Sequence, residues 1–309
     1  YVGALQRMDP AQFDLSVQVD YLFGAPAAGL VVQTDVTLTP AYSPFPDFSS
    51  YRFIPELEGD RQQLLQLAET TTDETGRARL QGDLSDRVPA LWPQQVQLRS
   101  EVIDVDGRIT VASATPLLAS GQTFIGLRTR ASSNTRHDRE TPVVIDLVAV
   151  DSDGMAAPLT EPLRWRLVRL DRYYNWYRAG GRWRYRSYTT ESGISAGTVE
   201  LASIPRADQP HGTVELPPLA RWGRYRFDVM TVDGRVQTSQ PFQVGWVQQA
   251  GIETTPDHLE IRFDQSSYAQ GSTARVQIAA PFDGPGQLIL AGQTVERVLP
   301  FEVRDGVAD

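Results

Sequence analysis

Apolar side chains recur at every second position over much of this sequence. Phe13, Leu15, Val17, Val19 and Tyr21 alternate with Asp14, Ser16, Gln18 and Asp20. In an extended chain successive side chains point to opposite faces, so such a run sets one face of a strand in a core and the other in water. The runs at Val31–Leu38, Val96–Val105, Val143–Val150, Arg224–Val232 and Arg275–Ile278 read the same way. Asp106-Gly107, Asp153-Gly154, Asp233-Gly234 and Asp305-Gly306 follow several of them. Asp-Gly supplies the positive φ that tight hairpins need. Only Gly59–Glu69, with Leu64, Leu65 and Leu67, has the spacing of a short helix. The expected fold is all-β, a tandem of immunoglobulin-like or fibronectin-like antiparallel β-sandwiches.

With 309 residues the chain has room for two or three such domains. The small residues and Pro116 of Ala114–Gly121 precede a fresh strand at Thr123–Thr129, and Gln248–Pro256 precedes the run Leu259–Phe263. The expected domains are therefore 1–115, 116–249 and 250–309. The third is short for a sandwich of roughly 100 residues. It either continues further or has an incomplete sheet with an exposed edge.

Composition removes several classes of function. Cysteine is absent, so there is no disulfide, no thiolate nucleophile and no cysteine-based metal or cluster site. No apolar run reaches the ~18–20 residues that span a bilayer. The net charge is -9, which argues against nucleic acid and anionic lipid as global partners. All 29 basic residues are arginine. The chain opens at Tyr1 with no initiator Met and no signal peptide, and reads as a piece of a larger protein.

The strongest local feature is Arg164–Tyr188, where Trp165, Tyr173, Tyr174, Trp176, Tyr177, Trp183 and Tyr185 interleave with arginines around Gly180-Gly181. This is a hairpin, with Arg182, Arg184 and Arg186 on one face of the return strand and Trp183 and Tyr185 on the other. Its rings could be stacking platforms for single-stranded nucleic acid or glycans. The acidic chain favours an aromatic cluster packed in a core or domain junction, rimmed by arginine stems.

Catalytic and metal signals are thin. Gly193-Ile194-Ser195-Ala196-Gly197 fits G-x-S-x-G, but that elbow needs a strand-to-helix turn in an α/β sheet, whereas Thr-Val-Glu-Leu follows. A hairpin loop is the expected context. Asp104/Asp106 and Asp151/Asp153 lack the remaining oxygens of a calcium loop. His137, His211 and His258 are dispersed. There is no phosphate-binding glycine motif. No catalytic residue, cofactor or metal site is expected.

Two segments carry a family resemblance. Leu163–Tyr185, "LRWRLVRLDRYYNWYRAGGRWRY", resembles the W-x-L, Y-x-W-Y, G-x-W-x-Y stretch of bacterial α2-macroglobulin-like proteins. Its signature positions are Trp165, Tyr174, Trp176, Trp183 and Tyr185. Asp264-x-x-x-Tyr268-x-x-Gly271-x-x-Ala274, followed by Val276 and Ile278, is similar to the opening of macroglobulin (MG) domains in that family. Ala269-Gln270 stands where the family often has proline. Tyr21–Leu30, "YLFGAPAAGL", also looks like an MG strand entry.

The resemblance implies MG-type sandwiches forming part of the scaffold of a periplasmic, broad-spectrum protease trap. Such proteins are usually anchored to the inner membrane through an N-terminal lipid. Target proteases cut a bait loop, here expected after the third domain, and are held, often through a thioester. The family's C-x-E-Q thioester motif is absent from this sequence. A periplasmic penicillin-binding protein is a further partner the family suggests. The alternative is an immunoglobulin-like adhesion or glycan-binding module using the aromatic hairpin; a β hydrolase built on Ser195 is a third reading.

Overall fold

The computed structural model describes residues 7–8, 13–56, 62–82, 91–119, 123–130, 141–202, 206, 209–219, 221, 223–244, 259–280, 283–304 and 307–308. The expected all-β architecture is what these residues form. Three groups of sheets follow one another along the chain, antiparallel throughout except where β-strand Arg7–Met8 runs parallel to Leu117–Leu118.

The first group contains β1 (Arg7–Met8), β2 (Phe13–Gln18), β3 (Val31–Pro40), β4 (Gln63–Gln66), β5 (Thr70–Thr71), β6 (Arg77–Gly82), β7 (Gln94–Ile103), β8 (Ile109–Ala114) and β9 (Leu117–Leu118). β3 and β7 pair antiparallel from Val31 opposite Ile103 to Pro40 opposite Gln94. The other strands of a seven-stranded sheet gather on this pair, while β2 and β6 form a separate ribbon. Alternation places Leu15 and Val17 of β2 and Leu80 of β6 against Val32, Val36 and Leu98 of the larger sheet. Thr34 also points inward, and its hydroxyl is satisfied by Ser100 at 2.8 Å.

The expected helix near 59–69 is not formed at its described positions. Gln63–Gln66 is β4, paired with Asp35–Leu38 of β3. Leu65 and Leu67, two apart, pack toward the core, and Leu64 is exposed. Three leucines in four positions satisfy either period; a free edge of β3 decides for the strand.

The second group contains β10 (Phe124–Thr129), β11 (Val143–Val150), β12 (Leu163–Ala179), β13 (Arg182–Val199), β14 (Gly212–Leu216), β15 (Gly223–Met230) and β16 (Val236–Val244). One sheet has the order β10-β11-β14 and the other β13-β12-β15-β16. Ile125, Leu127, Ile145 and Leu147 of the first face Leu167, Tyr225, Phe227 and Val229 of the second. The β10 and β16 edges approach one another, where the Thr238 hydroxyl donates to the Ile125 carbonyl at 2.7 Å.

The third group has a three-stranded sheet of β17 (Glu260–Phe263), β18 (Val276–Ala279) and β21 (Val307–Ala308), with the ribbon β19 (Gly284–Ala291) and β20 (Val295–Val303). Its buried core is small: Ile278, Val303 and Ala308. The Asp-x-x-x-Tyr motif here is a loop staple. Asp264 accepts from the Tyr268 hydroxyl at 2.5 Å and from the Arg275 amide at 3.0 Å, closing the loop. The Tyr268 bond holds the Asp264 carboxyl below its ordinary pKa. Gly271 sits in this loop at φ +85°, a region that L side chains rarely adopt.

Three described Asp-Gly turns share one shape. Gly107, Gly154 and Gly234 each adopt positive φ and donate their amide to the residue three before, Asp104, Asp151 and Thr231. This is a type I turn closed by a left-handed glycine rather than a two-residue loop. Asp151 also accepts from the Asp153 and Met155 amides, so its carboxylate is used in the turn. Asp305-Gly306 lies outside the described residues.

Candidate functional site

The most heavily built feature outside the two main cores is a strap, residues 42–56, that leaves the first sandwich after β3 and lies on the second. Pro44, Pro46 and Pro55 deny it a regular ladder, and a single 3-10 turn spans Pro46–Phe48. Its anchors are aromatic. Phe45, Phe48, Tyr51 and Phe53 pack against Phe124, Val148 and Val150, which point outward from β10 and β11. Phe45 and Phe53 meet edge to face at 4.9 Å. Each such side chain contributes about 1.5–3 kcal/mol on leaving water.

Backbone bonds fix the register of the strap. Arg52 and Leu127 exchange amide–carbonyl bonds of 2.8 and 2.9 Å on the free edge of β10, and the Ser239 amide of β16 donates to Ile54 at 3.1 Å. The strap thus runs along the seam between the two sheets and occupies edges that would otherwise be open to another chain. Two glycines make room for it. A Cβ on Gly126 would lie 2.6 Å from the Phe53 ring, and one on Gly154 3.1 Å from Phe45.

Buried charge surrounds these anchors. Asp146 of β11 is fully buried and accepts from Arg128 at 2.8 Å and Arg130 at 2.6 Å. Arg128 also lies 4.5 Å from the Tyr51 ring centre, tying the pair to the strap. Burial raises the Tyr51 pKa. On the other sheet Asp228 is fully buried and accepts from Arg166 at 3.0 Å, Arg226 at 2.7 Å and Ser239 at 2.6 Å. Arg226 is itself buried and reaches Glu191 at 2.8 Å, and Glu56 of the strap pairs with Arg224. Burial alone would lower the Arg226 pKa, but its bond to Asp228, with the charges of Asp228 and Glu191, raises it. Charges this well paired fix the geometry around the strap.

His211 joins the same cluster, its ring edge-on to Phe48 at 6.0 Å. Its Nδ1 accepts from the Ala149 amide at 2.9 Å and its Nε2 faces the Arg206 carbonyl at 3.1 Å. That pairing selects the neutral ring with the proton on Nε2. Burial lowers the pKa of His211. His137 and His258 lie outside the described residues, and no three His, Asp or Glu side chains converge on a metal position among those described.

The residues singled out from the sequence are distributed differently. Trp165 is half-buried, stacked on Phe227 at 5.3 Å. It lies over Gly197, where a Cβ would come within 2.8 Å of its ring. The G-x-S-x-G segment is therefore neither an elbow nor a loop. It is strand, with Ser195 opposite Leu167 and Ile194 thrown out by a bulge opposite Leu167/Val168. Tyr174, Trp176, Trp183 and Tyr185 do not pack in a core or junction of the described residues. β15 accompanies β12 only from Arg164 to Leu170, so beyond that the hairpin is a bare two-stranded ribbon. Trp183 is 68% exposed and Trp176 49%.

The strap itself was not foreseen. Its signal was present as four aromatic residues within nine positions, 45–53, of a proline-rich stretch without period.

Comparison with known proteins gives concordant matches. The family model described as "Bacterial Alpha-2-macroglobulin MG5 domain" matches residues 4–118, and "Bacterial macroglobulin domain 6" matches 126–246. The chain is similar to the alpha-2-macroglobulin of Xylella fastidiosa (strain 9a5c), 27% identical over 91% of this chain and 17% of that protein. Among solved structures, it resembles the native conformation of Escherichia coli alpha-2-macroglobulin, with a TM-score of 0.67 and 22% identity over 98% of this chain and 20% of that one. Escherichia coli alpha-2-macroglobulin activated by porcine elastase gives 0.63 and 22%, over 93% of this chain and 25% of that one. The chain thus spans about a sixth of the length of the curated relative.

Proposed function

Since the chain belongs to the bacterial alpha-2-macroglobulin family, carrying its domains 5 and 6 in tandem, we propose that it is a framework section of a protease-trapping inhibitor with no catalytic centre of its own. The observation that carries this reading is the strap: Phe45, Phe48, Tyr51 and Phe53 of one sandwich are buried against the outer faces of the next, with fully buried Asp146 and Asp228 beside them. A joint of that kind transmits displacement between domains rather than absorbing it, because packed aromatic interfaces move as bodies. A trap needs such rigid links so that cleavage at one place moves a distant wall.

Target proteases enter this reading as partners of the whole protein, and the periplasmic location is the one the family resemblance implies. A penicillin-binding protein and a lipid anchor are not needed by it.

The test uses the whole polypeptide and elastase. With inhibitor present, cleavage of a large protein substrate should fall while cleavage of a small peptide continues, as expected of an enclosed enzyme. The Phe53→Ala variant, with a loosened strap, should still be cut yet suppress less. Unchanged digestion of the large substrate by the wild-type protein would refute the reading.

A further inference from the structure

The exposed end of the β12–β13 hairpin is the feature least explained by a framework role. Residues 171–190 carry five arginines against the single acid Asp171, within a chain of net charge -9. The strand register sorts the ribbon into two faces. Tyr174, Trp176, Trp183 and Tyr185 share one, flanked by Arg172 and Arg178. The other bears Tyr173, Tyr177 and Tyr188 with Arg182, Arg184 and Arg186. The rings hold one another: Trp176 and Tyr185 meet at 5.6 Å, Tyr174 and Tyr185 at 5.8 Å, Tyr173 and Tyr188 at 5.6 Å. A two-stranded ribbon with two aromatic faces in water is marginal by itself.

We infer that this ribbon docks into an apolar cleft rimmed by carboxylates on another domain of the same macroglobulin polypeptide. The inference rests on the framework reading, in which most of the polypeptide lies outside these residues; the chain covers 17% of its curated relative. Trp, Tyr and Arg are the residue types that dominate protein–protein contacts. Both faces of the ribbon are aromatic, so a cleft that takes it edge-on covers both. A bilayer surface would cover one face and leave the other's tyrosines in water. Tip-first insertion would carry Arg178 and Arg182, beside the Gly180-Gly181 turn, into hydrocarbon at high cost. A second copy would bring five arginines against five, which charge repulsion opposes.

The experiment places a photoreactive benzoylphenylalanine in the whole polypeptide at Tyr177 or Trp183, one on each face, and at Leu22 as an exposed control, with mass spectrometry of the adducts. Both ribbon positions should cross-link within one polypeptide to a segment outside residues 1–309 that contains Asp or Glu, and Leu22 should not. Arg184→Glu should reduce the yield from Tyr177 at least tenfold, while the circular dichroism is unchanged. Cross-links only between copies, none from either face, or binding to phosphatidylglycerol vesicles that is lost in Trp183→Ala would each overturn the inference. Elastase trapping is measured on the same samples. Trapping without cross-links removes the docking and spares the framework role; cross-links without trapping do the reverse.

Discussion

Two buried aspartates, Asp146 and Asp228, have the same fully buried side chain but different neighbours, and the difference fixes what their removal costs. The partners of Asp146, Arg128 and Arg130, are 36% and 55% exposed and can return to water when the carboxylate goes. Arg226, beside Asp228, is 3% exposed and cannot. Asp228→Ala should therefore cost about 3–5 kcal/mol and Asp146→Ala about 1–2 kcal/mol, read by urea unfolding of the second sandwich. Equal losses would contradict the role assigned to burial. His211 adds a pH term of definite sign. Its folded pKa lies below the ordinary 6.5, so the folded protein takes up its proton later than the unfolded chain. The stability it supports is complete above pH 6.5 and is lost as pH falls through the lowered folded value. Melting temperature measured from pH 7.5 to 5 should drop more in the wild type than in His211→Gln.

At the scale of elements, close approaches decide the local fold. Gly126 admits the Phe53 ring, so Gly126→Val should overpack the strap and destabilise by about 1–3 kcal/mol, visible as a lowered denaturant midpoint. Gly197→Val should do likewise by displacing Trp165. Period-2 alternation made most strands readable, because one face of β3, β7 and β11 had to be apolar whatever the sheet order. It failed where it was short or uneven. Gln63–Gln66 offered too few residues to separate the two periods, and Ser195 lay in a glycine-bearing strand that composition described as a loop. The hairpin's existence was legible from Gly180-Gly181 and its flanking alternation. Its exposure was not, because nothing local tells that β15 stops accompanying β12 at Leu170. The strap was hard to read for a related reason: its aromatics follow no period, and their partners Phe124, Val148 and Val150 lie far along the chain.

On the scale of the whole molecule, the family motifs resolve into separate mechanical parts: a loop staple at Asp264 and Tyr268, a ring laid over a glycine at Trp165, and an outreaching ribbon beyond Leu170. Joining the first two sandwiches into one body falls to the strap, which closes the seam of the second with residues of the first. The amides of Leu127 and Ser239, which donate to Arg52 and Ile54 of the strap, report on that joint. Hydrogen exchange at these two amides is the most direct measurement. Both should exchange as slowly as the core of β11 and accelerate at least a hundredfold in Phe53→Ala, with β7 and β15 still protected. Rapid exchange in the wild type, or rates indifferent to Phe53→Ala, would mean that the two sandwiches are not held together by the strap.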